Sequence, residues 1–179
     1  MAEIKLAQEL DPLSPVFETN IGAVYIMKGD LASAMEHARR LMELDPNFPT
    51  AHEISGNVYL EQRRYAEAIT EFQQNVANDR TAYSLSYLGH AYAMSGRREE
   101  ALTVLKELEG KYNKRESIGQ YVAAAYAGLG DKDQAFAWLE RDFQNKSGQL
   151  DFVKMEVSFD PLRSDPRYAD LLRRMGLKP

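Results

Sequence analysis

An all-α fold, a stack of helix-turn-helix hairpins forming an α-solenoid, is predicted by three columns of residues that stay in phase along the chain. Gly22, Gly56, Gly89 and Ala123 recur at spacings of 34, 33 and 34 residues. Tyr25, Tyr59, Tyr92 and Tyr126 follow three positions later, and Ala34, Ala68, Ala101 and Ala135 twelve positions after each small residue. A fixed period of this length marks supersecondary units that bury their apolar faces only against their neighbours.

The elements follow in order. Ile4 to Leu10 matches only the second helix of a preceding unit, because Ala7 to Pro12 repeats the spacing of Leu41 to Pro46. A half-repeat helix is therefore placed at residues 3–11. The chain starts halfway through a hairpin, as expected of a piece cut from a longer protein or, alternatively, of a lone helix that caps the N-terminal end. The unpaired apolar edge there invites a homodimer through an exposed end of the stack.

The first full repeat occupies residues 15–48. Ile21, Val24, Tyr25 and Lys28 lie at helical spacing. Gly29-Asp30 breaks the pattern, with glycine suited to a helix C′ position and Asp30 to the next N-cap. Leu31, Ala34, Met35, Ala38, Leu41 and Met42 form the apolar stripe of a second helix. It stops at Leu44-Asp45-Pro46, where proline turns Asp45 away from helical geometry.

Repeats at 49–81, 82–115 and 116–149 restate this plan, with hairpin turns at Ser95-Gly96 and Gly130-Asp131. The shortening to 33 residues falls between Ala68 and Gly89 and is placed in the turn Asn78-Asp79-Arg80. A change in stacking angle is expected there.

Residues 150–179 depart from the repeat and are expected to cap its open edge. Gln149 to Val157 predicts a short helix, and Phe159-Asp160-Pro161-Leu162 a turn. Asp165 as N-cap and Pro166 at N1 start a last helix with Leu171, Leu172 and Met175 on its apolar face and Gly176 at its end. Trp138 stands where earlier repeats have His37, Glu71 and Val104. A tryptophan there predicts that Phe152, Phe159 or Leu162 folds over it.

Composition excludes several functions. With no cysteine there is neither a disulfide framework nor a thiolate metal site. A net charge of -5 lacks the basic footprint of a nucleic-acid binder. Tyr121 to Leu129, the longest apolar run, is too short for membrane insertion. The opening MAEIKLAQELDP has no signal-peptide pattern, and a cytoplasmic location is expected.

The three columns resemble the tetratricopeptide repeat, whose unit carries Gly or Ala at its eighth position, Tyr at its eleventh, Ala at its twentieth and often Pro near its end. The matches are Gly22/Tyr25/Ala34/Pro46, Gly56/Tyr59/Ala68, Gly89/Tyr92/Ala101 and Ala123/Tyr126/Ala135. They cover about Leu6 to Ser147. The tryptophan common at the fourth position is missing, replaced by Glu18, His52, Leu85 and Gly119. The tail FDPLRSDPRYADLLRRMGL looks like the closing segment of such regions in large bacterial signalling proteins. The resemblance implies a right-handed spiral with a concave groove lined by the first helices, and a protein or peptide partner held there. It implies a regulatory or scaffolding region, or alternatively one that self-associates or docks onto its own parent protein.

Carried over from the family, the groove positions include Thr19 and Met27 in the first repeat and Glu53, Asn57 and Leu60 in the second. Tyr83, Ser86, His90 and Met94 follow in the third, and Gln120 in the fourth. Small residues at Ala23, Ala93, Ala124 and Ala127 are expected to leave the groove open. Asn57, His90 and Gln120 are suited to hydrogen-bonding a ligand backbone, and Met27, Leu60, Met94 and Tyr83 to apolar contact. Family members that hold a chaperone's acidic C-terminal tail use Lys and Asn, then Asn, then Lys and Arg. Here those places carry Thr19 and Ala23, Asn57, and Ser86 and His90. Without the cations no charge-assisted grip on a carboxylate forms, so chaperone-tail recognition is not expected.

Nothing in the chain reads as catalysis, a cofactor site or a metal site. His37, His52 and His90 fall in different helices without ligand spacing. Glu99-Glu100 opens a helix, where acids favour the macrodipole. Gly128 to Gly130 closes a helix and is no dinucleotide loop. Arg163, Arg167, Arg173 and Arg174 form a modest basic cluster, read as a solvated face or a contact for an acidic partner.

Overall fold

The computed structural model describes the backbone of residues 15–145, 153–154 and 156–178, and their side chains from residue 20 onward. The half-repeat expected at 3–11, Phe152, and most of the short helix expected from Gln149 lie outside the described residues. All regular structure among the described residues is helical. The chain divides into two compact units, Met1–Arg80 and Thr81–Pro179. The division falls at the turn where the repeat is one residue short.

The first unit holds two hairpins, α1 (Pro15–Met27) with α2 (Leu31–Leu44), and α3 (Pro49–Glu61) with α4 (Tyr65–Asn78). Ala34, Ala38 and Leu41 of α2 meet Ala51, Ile54 and Val58 of α3 in one core, flanked by Tyr25, Leu31, Met35 and Phe48. The small-residue column explains the close approach. A Cβ on Gly22 would stand 2.4 Å from Ile54 Cδ1, and one on Gly56 2.5 Å from Phe72 Cε1. Full burial of a phenylalanine such as Phe72 contributes roughly 1.5–3 kcal/mol, so this space is worth keeping. The turn before α3 is fastened by polar side chains. Asn75 Nδ2 donates to the Pro49 carbonyl at 2.8 Å, and Asn78 Nδ2 to the Asn47 carbonyl at 2.7 Å. His52 bridges the Pro46 carbonyl, 3.0 Å from Nε2, and Glu71, 2.8 Å from Nδ1.

The second unit holds α5 (Ala82–Met94) with α6 (Arg98–Asn113), and α7 (Gly119–Gly128) with α8 (Lys132–Asn145). A 3₁₀ helix, Val157–Leu162, and α9 (Pro166–Arg174) follow. α5 starts with a reciprocal Thr81–Ser84 capping box. Asp131 accepts from the Gln134 N–H at 3.1 Å. α9 opens as expected, with the Asp165 side chain capping the Arg167 N–H and Pro166 at its first position. Tyr168, Leu171 and Leu172 are its buried face.

The hairpin turns share one device. The carbonyl of the column tyrosine accepts an N–H five residues on: Asp30 to Tyr25, Arg64 to Tyr59, Arg97 to Tyr92, Asp131 to Tyr126. A second bond nests inside each, closing a Schellman turn. The residue between must take positive φ, and Gly29, Gly96 and Gly130 do so at 72° to 79°. In the second hairpin Arg63 takes that role at 57°. The arginine after the turn lies over the tyrosine, Arg64 at 4.5 Å from the Tyr59 ring and Arg97 at 4.7 Å from the Tyr92 ring.

Trp138 packs edge-on against Tyr112 of the preceding hairpin at 4.8 Å, with Arg141 at 4.2 Å from its ring. Of the residues expected to fold over it, Phe152 lies outside the described residues, while Phe159 and Leu162 are buried. Phe159 joins the first helices of the third and fourth repeats.

Candidate functional site

The third and fourth repeats bring their groove positions together. α5 contributes Tyr83, Ser86 and Tyr87, and α7 contributes Gln120, Tyr121 and Ala124. Tyr83 meets Tyr87 edge-on at 5.0 Å and Tyr121 at 5.8 Å, and the Tyr83 and Tyr87 hydroxyls are 3.0 Å apart. These residues do not line an open trough. Glu156, Ser158 and Phe159 of the C-terminal segment close over them, leaving a cavity of about 10 Å³. Phe159 and Ser158 are buried, as is Leu162. The Tyr87 hydroxyl donates to Glu156 Oε1 at 3.5 Å, a long bond. Burial pushes the Glu156 carboxyl up to about 7.

The expected ligand contacts are altered accordingly. His90 is only 3% exposed, and its Nδ1 lies 3.2 Å from the Ala124 carbonyl, to which it donates. It ties α5 to α7. Burial lowers its pKa and keeps it neutral. Gly128 permits this approach, since a Cβ there would stand 2.9 Å from both His90 Nδ1 and Ala93 Cβ. The Ser86 hydroxyl is spent on the Tyr83 carbonyl at 2.6 Å. Gln120 is 5% exposed, and its Oε1 is buried with no hydrogen-bond partner. Ala124 and Ala127 are buried too, so the small side chains of α7 do not leave open space.

In the first unit, Met27 is 57% exposed and Asn57 half-buried, whereas Glu53 and Leu60 are buried. Met94 of α5 is exposed at the far end of its helix from Tyr83. The side chain of Thr19 lies outside the described residues.

Sequence reasoning missed the residue that builds the start of α7. Asp142 on α8 accepts from the Gly119 N–H at 2.8 Å and the Gln120 N–H at 2.6 Å. These are two of the N–H groups that a helix start leaves unpaired. Burial still pushes the Asp142 carboxyl up against the pull of the two N–H groups. Gly119 is needed for the contact, because a Cβ would stand 2.8 Å from Asp142 Oδ1 and 2.9 Å from the Trp138 carbonyl. A signal was present: Asp142 continues the apolar stripe of Ala135, Trp138 and Leu139.

The basic cluster is spent internally. Arg167 pairs with Asp133 and Asp165 and lies 4.3 Å from the Phe136 ring. Arg174 pairs with Glu140 and lies over Phe143. Arg163 pairs with Asp160, and Arg173 with Asp170. Among the described residues, no group of three or more His, Asp or Glu side chains is arranged to hold a metal ion. No helix among them is long and apolar enough to cross a membrane.

The family model described as "Tetratricopeptide repeat" matches residues 21–84 and 55–116, more than half of the chain. The chain belongs to the tetratricopeptide repeat family. A Mycosarcoma maydis protein, small glutamine-rich tetratricopeptide repeat-containing protein 2, is 34% identical over 73 residues. That match covers 41% of this chain and 21% of the fungal protein. Among solved structures, the tetratricopeptide protein TTC0263 of Thermus thermophilus superposes with a TM-score of 0.64 at 17% identity, covering 87% of each chain. YrrB, described as a tetratricopeptide protein with an unusual peptide-binding site, superposes at 0.53 with 20% identity, over 96% of this chain and 89% of its own. At these identities the structural likeness is one of fold. The family is one of protein–protein interaction modules.

Proposed function

We propose that this protein is a non-catalytic interaction module that holds a polypeptide segment against the groove positions of its first helices, as a regulatory or scaffolding region. The observation that carries this reading is the seat on α5 and α7. A run of chain with a buried phenylalanine lies across Tyr83, Tyr87, Gln120, Tyr121 and Ala124. A face that accepts one polypeptide segment in cis has the shape and chemistry to accept another in trans. YrrB's description as a peptide binder on the same fold agrees with this. The ligand is not an acidic chain terminus, because Ser86 and His90 stand where cations would be needed and both are buried.

The test uses the full chain with Phe159→Ala, which weakens the cis segment. A fluorescent peptide EVSFDPL, copying residues 156–162, should bind it saturably by anisotropy, and EVSADPL should not. No saturable binding to a variant of unchanged helicity would refute the reading.

A further inference from the structure

The segment now on the seat fits its apolar part and misfits its polar part. Phe159 is 1% exposed among the aromatic and small side chains of α5 and α7. Glu156, by contrast, brings as a carboxylate only further acceptors into a cavity where Gln120 Oε1 is already buried without a donor. An unpaired buried acceptor forfeits the hydrogen bonds it had in water. The Tyr87 hydroxyl reaches the carboxyl only at 3.5 Å. The space left between these groups, about 10 Å³, has room for about one water. Partial burial of a carboxylate beside phenols adds to the cost.

We propose that residues 156–162 are a displaceable intramolecular ligand. The segment that takes their place belongs to another protein, and carries an aromatic side chain together with an N–H donor for Gln120 Oε1. The aromatic anchor would replace Phe159 against Tyr83, Tyr87 and Tyr121. The donor would stand three residues before it, where Glu156 now stands, and would be neutral, such as a Gln or Asn amide. This partner chemistry rests on the proposed function and refines it.

The experiment compares two labelled peptides, QVSFDPL and EVSFDPL, on the full chain with Phe159→Ala at pH 8.5, where the glutamate is ionised. QVSFDPL should bind about tenfold more tightly, the scale set by satisfying one buried polar group. Gln120→Leu in the same background should bring the two affinities together. Equal affinities would overturn the donor chemistry and leave the proposed function standing. Failure of both peptides on a variant of unchanged helicity would overturn both. On the unsubstituted chain, saturating QVSFDPL should speed amide exchange across residues 156–162, and unchanged exchange would overturn displacement. A dimer in light scattering with tails exchanged between copies would make the occupant a second copy, and would also overturn the proposal.

Discussion

Replacing glycine by alanine at three helical positions poses one chemical question in three environments. Alanine gains about 1 kcal/mol over glycine in a helix interior. At Gly110 in α6 nothing lies within 4 Å of the new Cβ, so Gly110→Ala should keep most of that gain, about 0.5–1 kcal/mol. At Gly89 the Cβ would stand 3.1 Å from Val104 Cγ1 and 3.6 Å from Ala125 Cβ. Val104 must yield a few tenths of an ångström, which cancels the propensity gain, and a change within about 0.5 kcal/mol of zero is expected. At Gly56 the Cβ would overlap three atoms of the Phe72 ring, at 2.5 to 2.8 Å. Phe72 is fully buried and cannot swing aside. Overpacking costs about 1–3 kcal/mol, and less the propensity gain Gly56→Ala should lose about 0–2 kcal/mol net. Urea unfolding followed by circular dichroism gives the three midpoints directly. If Gly56→Ala matched Gly110→Ala, the small-residue column would not be a packing requirement, and the account of hairpin approach would fail.

Other substitutions test separate features. Arg63→Gly relieves a left-handed residue that only the turn demands, and should stabilise by about 0.5–1 kcal/mol in thermal unfolding. Asp142→Ala leaves the Gly119 and Gln120 N–H groups without their acceptor and should cost about 2 kcal/mol or more, measured by urea midpoint. The Glu156 carboxyl titrates near 7 when seated and nearer 4.5 when released. The seated form therefore holds a proton that the released form gives up, and seating weakens as pH rises from 4.5 to 7. Tyr83, Tyr87, Tyr121, Gln120 and Ser158 share its cavity, none charged at neutral pH, while Asp160 and Lys154 are exposed. Amide exchange of residues 156–162, corrected for intrinsic rate, should be slower at pH 5 than at pH 8, and Glu156→Gln should flatten the difference.

The repeat was legible because its causes are local and periodic. Gly29 and Asp30 mark a turn whose bonds reach back only five residues, and Pro49 and Pro166 open helices by their own geometry. The buried tail was not legible, because Tyr87 and Glu156 are 69 residues apart and share no pattern. Trp138 was ambiguous for a related reason: a large aromatic announces that something covers it and does not say which neighbour does. One such neighbour is Tyr112, one hairpin back. Of the positions carried over from the family, Tyr83, Ser86 and Gln120 meet at one place on α5 and α7, and nothing in the sequence announced that Ser86 and Gln120 are buried there. Asp142 and Asn75 occupy the same place in their repeats, and each fastens the start of the first helix in its own hairpin. The two act on opposite groups, a carbonyl for Asn75 and two N–H groups for Asp142. One column of the repeat therefore carries a polar task that an apolar template hides.

A covalently attached occupant competes at millimolar local concentration. A free peptide of equal intrinsic strength would have to reach that level before half the molecules exchanged. Weak, abundant sequences with a stray phenylalanine are thereby shut out, and only a segment that improves on the resident one gains entry at cellular concentrations. The threshold for admission is written into the chain itself, in the fit of seven residues against two helices.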